Sequence, residues 1–298
     1  MIRVLLVEED EIEARGARAM LQEAGHGQIE VTHVTRLSTA LRRLNSESFD
    51  AILLDGGLVD THGLDTLDLV QAALARMPIV VMTDQDDPAS ERKAIQRGVQ
   101  DVIVKKQWTP DQLARSVRHA VDRKRAERSL AYLAQYDPLT ALANRALFRD
   151  RLTHALAVAK RKKHELGVVL LGLDRFNEII GQVGPEAGNA LLSSTAERLK
   201  QCMREVDTVA RLGGDEFTCL LEGITCKSDT EIVANRIIRA MDKPVKVEDQ
   251  DIPVTTSLGV AVFPLDGQEV DELMARAREA LTRAQESGGG FYLHPAQW

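Results

Sequence analysis

The chain opens on IRVLLV (2–7), a run too uniformly apolar to face water on one side and too short for a helix, which predicts a strand buried on both faces. EIEARGARAMLQEAG follows with its apolar residues at helical intervals, and the short runs AILLDGG, PIVVMTD and DVIVKK come after it, separated by polar stretches. Alternation of this kind predicts βαβ units and a doubly wound parallel sheet, an α/β fold. In such a sheet ligands gather beyond the carboxyl ends of the strands, so the residues that end each run are the candidates for chemistry. They are Glu8, Glu9 and Asp10, then Asp55, Thr83 and Lys105: acids, a hydroxyl and an amine at one edge.

After Lys105 the pattern changes. TPDQLARSVRHAVDRKRAERSLAYLAQ sets Leu113, Val117, Ala120, Leu130 and Leu133 near helical spacing behind an early Pro110, which predicts one long helix over 111–135. Its RKRAER run (123–128) reads as a solvated face, and the apolar stripe between charges suits pairing with a second copy in a homodimer. Farther on, VARLGGDEFTCLL (209–221) sets Gly213 and Gly214 between two apolar runs and follows them with Asp215 and Glu216, which predicts a β-hairpin with acids at its tip. TTSLGVAVF (255–263) reads as a buried strand.

Composition narrows the field. A length of 298 residues with 44% hydrophobic content is enough for two domains, each with its own core. The 45 acidic and 38 basic side chains leave a net charge of −7, which argues against nucleic acid or an anionic membrane as partner. No segment approaches 18 uninterrupted apolar residues, so a soluble, cytoplasmic protein is expected. Cys202, Cys219 and Cys226 lack metal-ligand spacing and read as inert thiols.

Residues 1–122 resemble the receiver domain of two-component response regulators, on the strength of Glu8, Glu9, Asp55, Thr83 and Lys105 at the strand ends. The resemblance implies that Asp55 accepts a phosphoryl group from a cognate histidine kinase and that Glu8, Glu9 and Asp55 hold Mg²⁺. It makes Thr83 the switch hydroxyl and Lys105 the cation on the phosphoryl group. A carboxylate attacking phosphorus needs such cations to neutralise the gathering oxygens. Glu9 stands where the family favours Asp, with Asp10 next in line as a substitute oxygen donor, and Val102 stands where it favours an aromatic switch residue.

Residues 136–298 are similar to the GGDEF domain of diguanylate cyclases, on five ordered blocks: YDPLTALANRALFRDRL, GVVLLGLDRFNEIIGQVGPEAGNALL, REVDTVARLGGDEFTCLL, PVTTSLGVAVFP and AREALTRAQESGGG. The resemblance implies a dimer that joins two GTP into cyclic di-GMP, with Asp215 holding Mg²⁺, Glu216 supporting it, and Gly213 and Gly214 letting backbone approach phosphate. It also assigns Arg204 and Asp207, five residues ahead of the hairpin, to an inhibitory cyclic di-GMP site. Asp137 of DPLT would hold the linker, Ala141 stands where the family often has Gly, and Arg211 is either structural or auxiliary. In many relatives a phosphodiesterase domain of the EAL type follows a stretch like FYLHPAQW; the chain here ends at Trp298.

Several positions depart from that pattern. Gly172 replaces the first acid of Asp-x-Asp-x-Phe, although Asp174 and Phe176 are present, and Asn177 replaces a Lys. Ile180 and Asn189 stand at the guanine-reading Asn and Asp, and Gln285 and Gly289 stand at the triphosphate-binding Lys and Arg. Metal, base and phosphate contacts are all weakened, so the leading expectation is a phosphorylation-responsive regulator whose second domain binds cyclic di-GMP or a protein without catalysis. The alternatives are an active cyclase using GTP through a rewired site, and a dimerisation module that binds no nucleotide.

Overall fold

The computed structural model describes residues 1–58, 77–247 and 250–294, and its elements are numbered among these in chain order. Contacts divide the chain into two compact units, Met1–Ser129 and Leu130–Trp298.

The first unit contains β1 (Ile2–Val7), α1 (Glu11–Ala24), β2 (Ile29–Val34), α2 (Leu37–Ser46), β3 (Ala51–Asp55), β4 (Ile79–Thr83), α3 (Pro88–Gln96), β5 (Asp101–Val104) and the first part of α4 (Pro110–Gln135). All five strands are parallel, in the order β2-β1-β3-β4-β5, the doubly wound sheet that the apolar runs predict. Alternate side chains explain why β1 is apolar throughout. Val4 and Leu6 pack under α1 and α4, while Leu5 and Val7 pack under α2 and α3. The strand β2 was not among the predicted runs. As an edge strand it exposes Glu30 and only half-buries Thr32 and His33, so IEVTHV lacks the continuous apolar run that marks its neighbours.

The helix α4 is one element, and the stripe predicted along it divides. Leu113, Val117 and Ala120 are buried, whereas Leu130 and Leu133 are 68% and 48% exposed. The basic run is solvated, with Arg123 and Lys124 paired to Glu127 and Arg125 to Asp50.

The second unit contains α5 (Arg145–Lys162), β6 (Glu165–Leu173), α6 (Phe176–Val183), α7 (Pro185–Cys202), β7 (Thr208–Gly213), β8 (Glu216–Ile224), α8 (Lys227–Met241), the short pair β9 (Val245–Val247) and β10 (Gln250–Ile252), β11 (Thr256–Phe263), α9 (Val270–Glu286) and β12 (Gly290–Leu293). Its main sheet runs β12-β11-β6-β8-β7, antiparallel except for the β11–β12 pair. Val169, Leu171 and Leu173 of β6 point to α7 and α8, and Val168 and Leu170 point to α5 and α9. The strand β11 is buried from end to end, as TTSLGVAVF predicts. Among the described residues no helix is long and apolar enough to cross a membrane. Cys202 and Cys219 are buried and burial pushes both thiols up; Cys226 is exposed.

Candidate functional site

In the first unit the carboxyl ends of β1, β3 and β5 bring an amine into the middle of three acids. Lys105 Nζ lies 2.8 Å from Glu8 Oε2 and 2.9 Å from Asp55 Oδ1, and it also bonds Glu13 Oε2. Glu8 is 1% and Asp55 7% exposed, so this charge cluster sits largely out of water. Burial pushes the Glu8 carboxyl up, against the opposing pull of Lys105. Burial disfavours the Lys105 ammonium, but bonds to Glu13, Glu8 and Asp55 outweigh it and hold its pKa above the ordinary value. Thr83 accepts the Lys105 backbone N–H at its carbonyl oxygen at 2.8 Å, and it lines, with Asp55 and Val102, a cavity of about 360 Å³.

Glu9 is exposed, while Glu8 is the acid that faces Asp55. Asp10 caps α1, its Oδ1 accepting the Ile12 and Glu13 N–H groups. Among the described residues no three acids or histidines form a ready cage. Two buried carboxylates at neighbouring strand ends nonetheless fit Mg²⁺, which takes one or two carboxylates and fills its shell with water and phosphate oxygen. Glu13 was missed from the sequence, although its place three residues after a capping Asp is a recognisable one.

In the second unit β7 and β8 form the predicted hairpin, turning at Gly214 and Asp215, with Gly213 opposite Glu216. Gly213 and Gly214 have φ of 128° and 57°, and nothing lies within 4 Å of a Cβ built on either, so the tip is open and needs glycine for its backbone. The neighbouring strand decides what this tip can hold. Gly172 is the cross-strand partner of Glu216, so the position beside that carboxylate carries no side-chain oxygen. Gln285 Nε2 lies 3.1 Å from where a Cβ of Gly172 would be. Arg278 of α9 grips Glu216 with two bonds, one of them Nη2 to Oε2 at 3.0 Å, and these bonds hold the Arg278 pKa above its usual value. Asp174 accepts the Ser257 hydroxyl at 2.8 Å.

Ile180 and Asn189, where the resemblance expects guanine contacts, lie in different surroundings. Ile180 packs so closely on Gly188 that a Cβ there would meet it at 2.8 Å, and Asn189 is exposed. A paired carboxylate and guanidinium facing a bare glycine do not fit Mg²⁺, which favours anionic oxygen.

Arg204 and Asp207 lie on the turn between α7 and β7, but they do not form an ion pair. Asp207 Oδ2 accepts the Arg204 backbone N–H at 2.9 Å and Oδ1 accepts that of Glu222 at 3.3 Å. The Arg204 side chain is exposed and, with Arg151 and Lys200, borders a hollow of about 230 Å³ that also touches Tyr136. Arg211 has a structural part. Its Nη1 bonds both oxygens of Asp137 at 3.1 and 3.2 Å, and its Nε and Nη2 bond the Gly214 carbonyl at 3.0 and 2.7 Å. One side chain thus ties the DPLT turn to the hairpin tip.

Comparison with known proteins matches both halves. The family described as "Response regulator receiver domain" covers residues 4–118, and that described as "Diguanylate cyclase, GGDEF domain" covers residues 134–290. An uncharacterized signaling protein of Caulobacter vibrioides is 30% identical over 92% of this chain, and the diguanylate cyclase TpbB of Pseudomonas aeruginosa is 36% identical over 54% of it. The chain spans only 37% and 38% of the length of these two relatives. The GGDEF domain of DgcB from Caulobacter crescentus, solved in complex with c-di-GMP, superposes with a TM-score of 0.50 at 25% identity, covering 55% of this chain and 96% of that one. With a receiver domain ahead of it and more than half of its length matched, the chain belongs to the GGDEF family of cyclic di-GMP signalling.

Proposed function

We propose that the second unit is a non-catalytic receptor for cyclic di-GMP, in a response regulator whose output is set by phosphorylation of the first unit. The observation that carries this reading is the pairing of Glu216 with Gly172 across β6 and β8. A metal-dependent transfer between two nucleotides is served by carboxylates facing each other across the cleft, and β6 offers none opposite Glu216. With Ile180 and Gln285 at positions of base and phosphate contact, GTP loses its handholds too. At the other end of the domain Arg204 keeps an exposed guanidinium beside two more cations, suited to the phosphates of a cyclic dinucleotide. Asp207, although bonded by two backbone N–H groups, has lone pairs left for a guanine edge.

In the first unit Asp55 is the phosphoryl acceptor, supplied by a histidine kinase. Lys105, already bonded to Asp55, neutralises charge on the incoming oxygens, and Thr83 borders the same cavity. Mg²⁺, held by Glu8 and Asp55, adds positive charge when bound. Incubation with acetyl phosphate and Mg²⁺ is expected to add one phosphoryl group by intact mass, and none in Asp55→Asn. A phosphoryl group retained in that variant removes the assignment. The exposed Leu130 and Leu133 support pairing of two copies through α4, in a protein of the cytoplasm.

The name of TpbB favours a second reading, an active cyclase. Turnover of GTP with Mg²⁺, followed by chromatography, separates the two: no cyclic di-GMP is expected, and product that disappears in Asp215→Ala would establish the cyclase. Calorimetry with cyclic di-GMP tests the receptor. Arg204→Ala is expected to weaken binding about 10- to 100-fold, the equivalent of one charge-assisted contact of about 1.5–3 kcal/mol. No binding by the wild-type protein leaves a dimerisation module instead.

A further inference from the structure

We infer that Arg278 is a built-in counter-ion that occupies the metal position of the hairpin cleft, closing it to divalent cations from within. The inference rests on the non-catalytic reading of the second unit and goes further, because it assigns the exclusion of metal to a residue that is present as well as to one that is missing.

Three observations meet at this point. Gly172 and Glu216 are paired across adjacent antiparallel strands, where directly opposed side chains stand about 4.5–5.5 Å apart, so an acid at 172 would complete a two-carboxylate clamp. The guanidinium of Arg278 takes both oxygens of Glu216 in a fork, the geometry in which arginine binds a carboxylate most firmly. Gln285, from the same helix, brings its amide nitrogen over Gly172 and covers the remaining opening. Helix α9 therefore supplies a cation and an amide donor where a dication would need unoccupied anionic oxygens. The position of α9 is fixed by packing: Leu273, Ala277, Ala280, Leu281 and Ala284 are all buried, so Arg278 is delivered to Glu216 by the fold.

A consequence follows for repair of the site. Restoring the missing acid alone leaves Glu216 engaged by Arg278, and the new carboxylate meets the Gln285 amide. Removing the arginine as well frees Glu216 to share a cation with the new acid.

The test counts bound Mn²⁺ by isothermal titration calorimetry on the full chain in four forms: wild type, Gly172→Asp, Arg278→Ala and the double variant, with circular dichroism confirming that each is folded. The receiver site contributes equally to all four, so only the difference is read. The double variant is expected to bind one Mn²⁺ per chain more than wild type, and Gly172→Asp alone to bind none extra or to bind it at least tenfold more weakly. An extra Mn²⁺ in Gly172→Asp as tight as that in the double variant overturns the inference, and so does a folded double variant that gains no ion. Wild-type turnover of GTP would instead defeat the non-catalytic reading. Equal gain by the single and double variants defeats the counter-ion and leaves that reading standing.

Discussion

A Gly259→Ala variant is expected to lose about 3 kcal/mol or more of stability in the second unit, the largest effect of an added methyl group at any described glycine. A Cβ at Gly259 would stand 2.1 Å from the Ala277 carbonyl oxygen and 2.1 Å from the Leu281 backbone nitrogen. Both are backbone atoms of α9 and no rotamer change moves them, so the helix must lift off β11. Scanning calorimetry should show the transition of this unit lowered by roughly 6–12 °C, on about 2–4 °C per kcal/mol for a domain of this size. Gly181→Ala is the control, since nothing lies within 4 Å of its Cβ and α6 is a helix in which alanine is the better former. It is expected to be neutral or to gain up to about 1 kcal/mol. Equal melting of the two variants would show that β11 and α9 are not in this close contact. Arg278 follows Ala277 on α9, so the helix that packs on Gly259 also carries the guanidinium that bonds Glu216.

That linkage marks the boundary of what the sequence discloses. Strands such as β1 and β11 are legible because both faces are buried and every position must be apolar. The edge strand β2 is not, since half of IEVTHV meets water. At the sites, the residues that end strands were found from position alone: Glu8, Asp55 and Lys105 do converge. Glu13 joins them from the first turn of α1, and Arg278 reaches Glu216 from 62 residues away. The place of Glu13 after a capping Asp is local but its bond to Lys105 is not, and the Arg278 contact has no local pattern: each depends on where a helix packs and not on what it is made of. Arg204 and Asp207 teach the reverse lesson. Their spacing suggests a pair, yet the carboxylate bonds the Arg204 backbone N–H, and the side chain stays exposed.

The second large effect is expected at Arg211. Arg211→Ala should cost the second unit about 2–3 kcal/mol at neutral pH, near the lower end for a buried ion pair because the Arg211 and Asp137 side chains keep 12% and 18% exposure. The change strands a half-buried carboxylate and takes two donors from the Gly214 carbonyl, so both the DPLT turn and the hairpin tip lose an anchor. Arg211→Lys is not expected to restore the loss, since one ammonium cannot span both acceptors. Acid gives the sign. Burial alone would raise the Asp137 carboxyl, but the hydroxyl and N–H of Thr140 together with Arg211 hold it below the ordinary value. A carboxyl lowered by folding adds stability that is complete above its unfolded pKa near 4 and fades as pH falls through the folded one. The difference between wild type and Arg211→Ala, read from thermal melts, should therefore be constant from pH 7 to about 5 and shrink toward pH 3. A difference that grows in acid would mean that Arg211 works through some group other than Asp137.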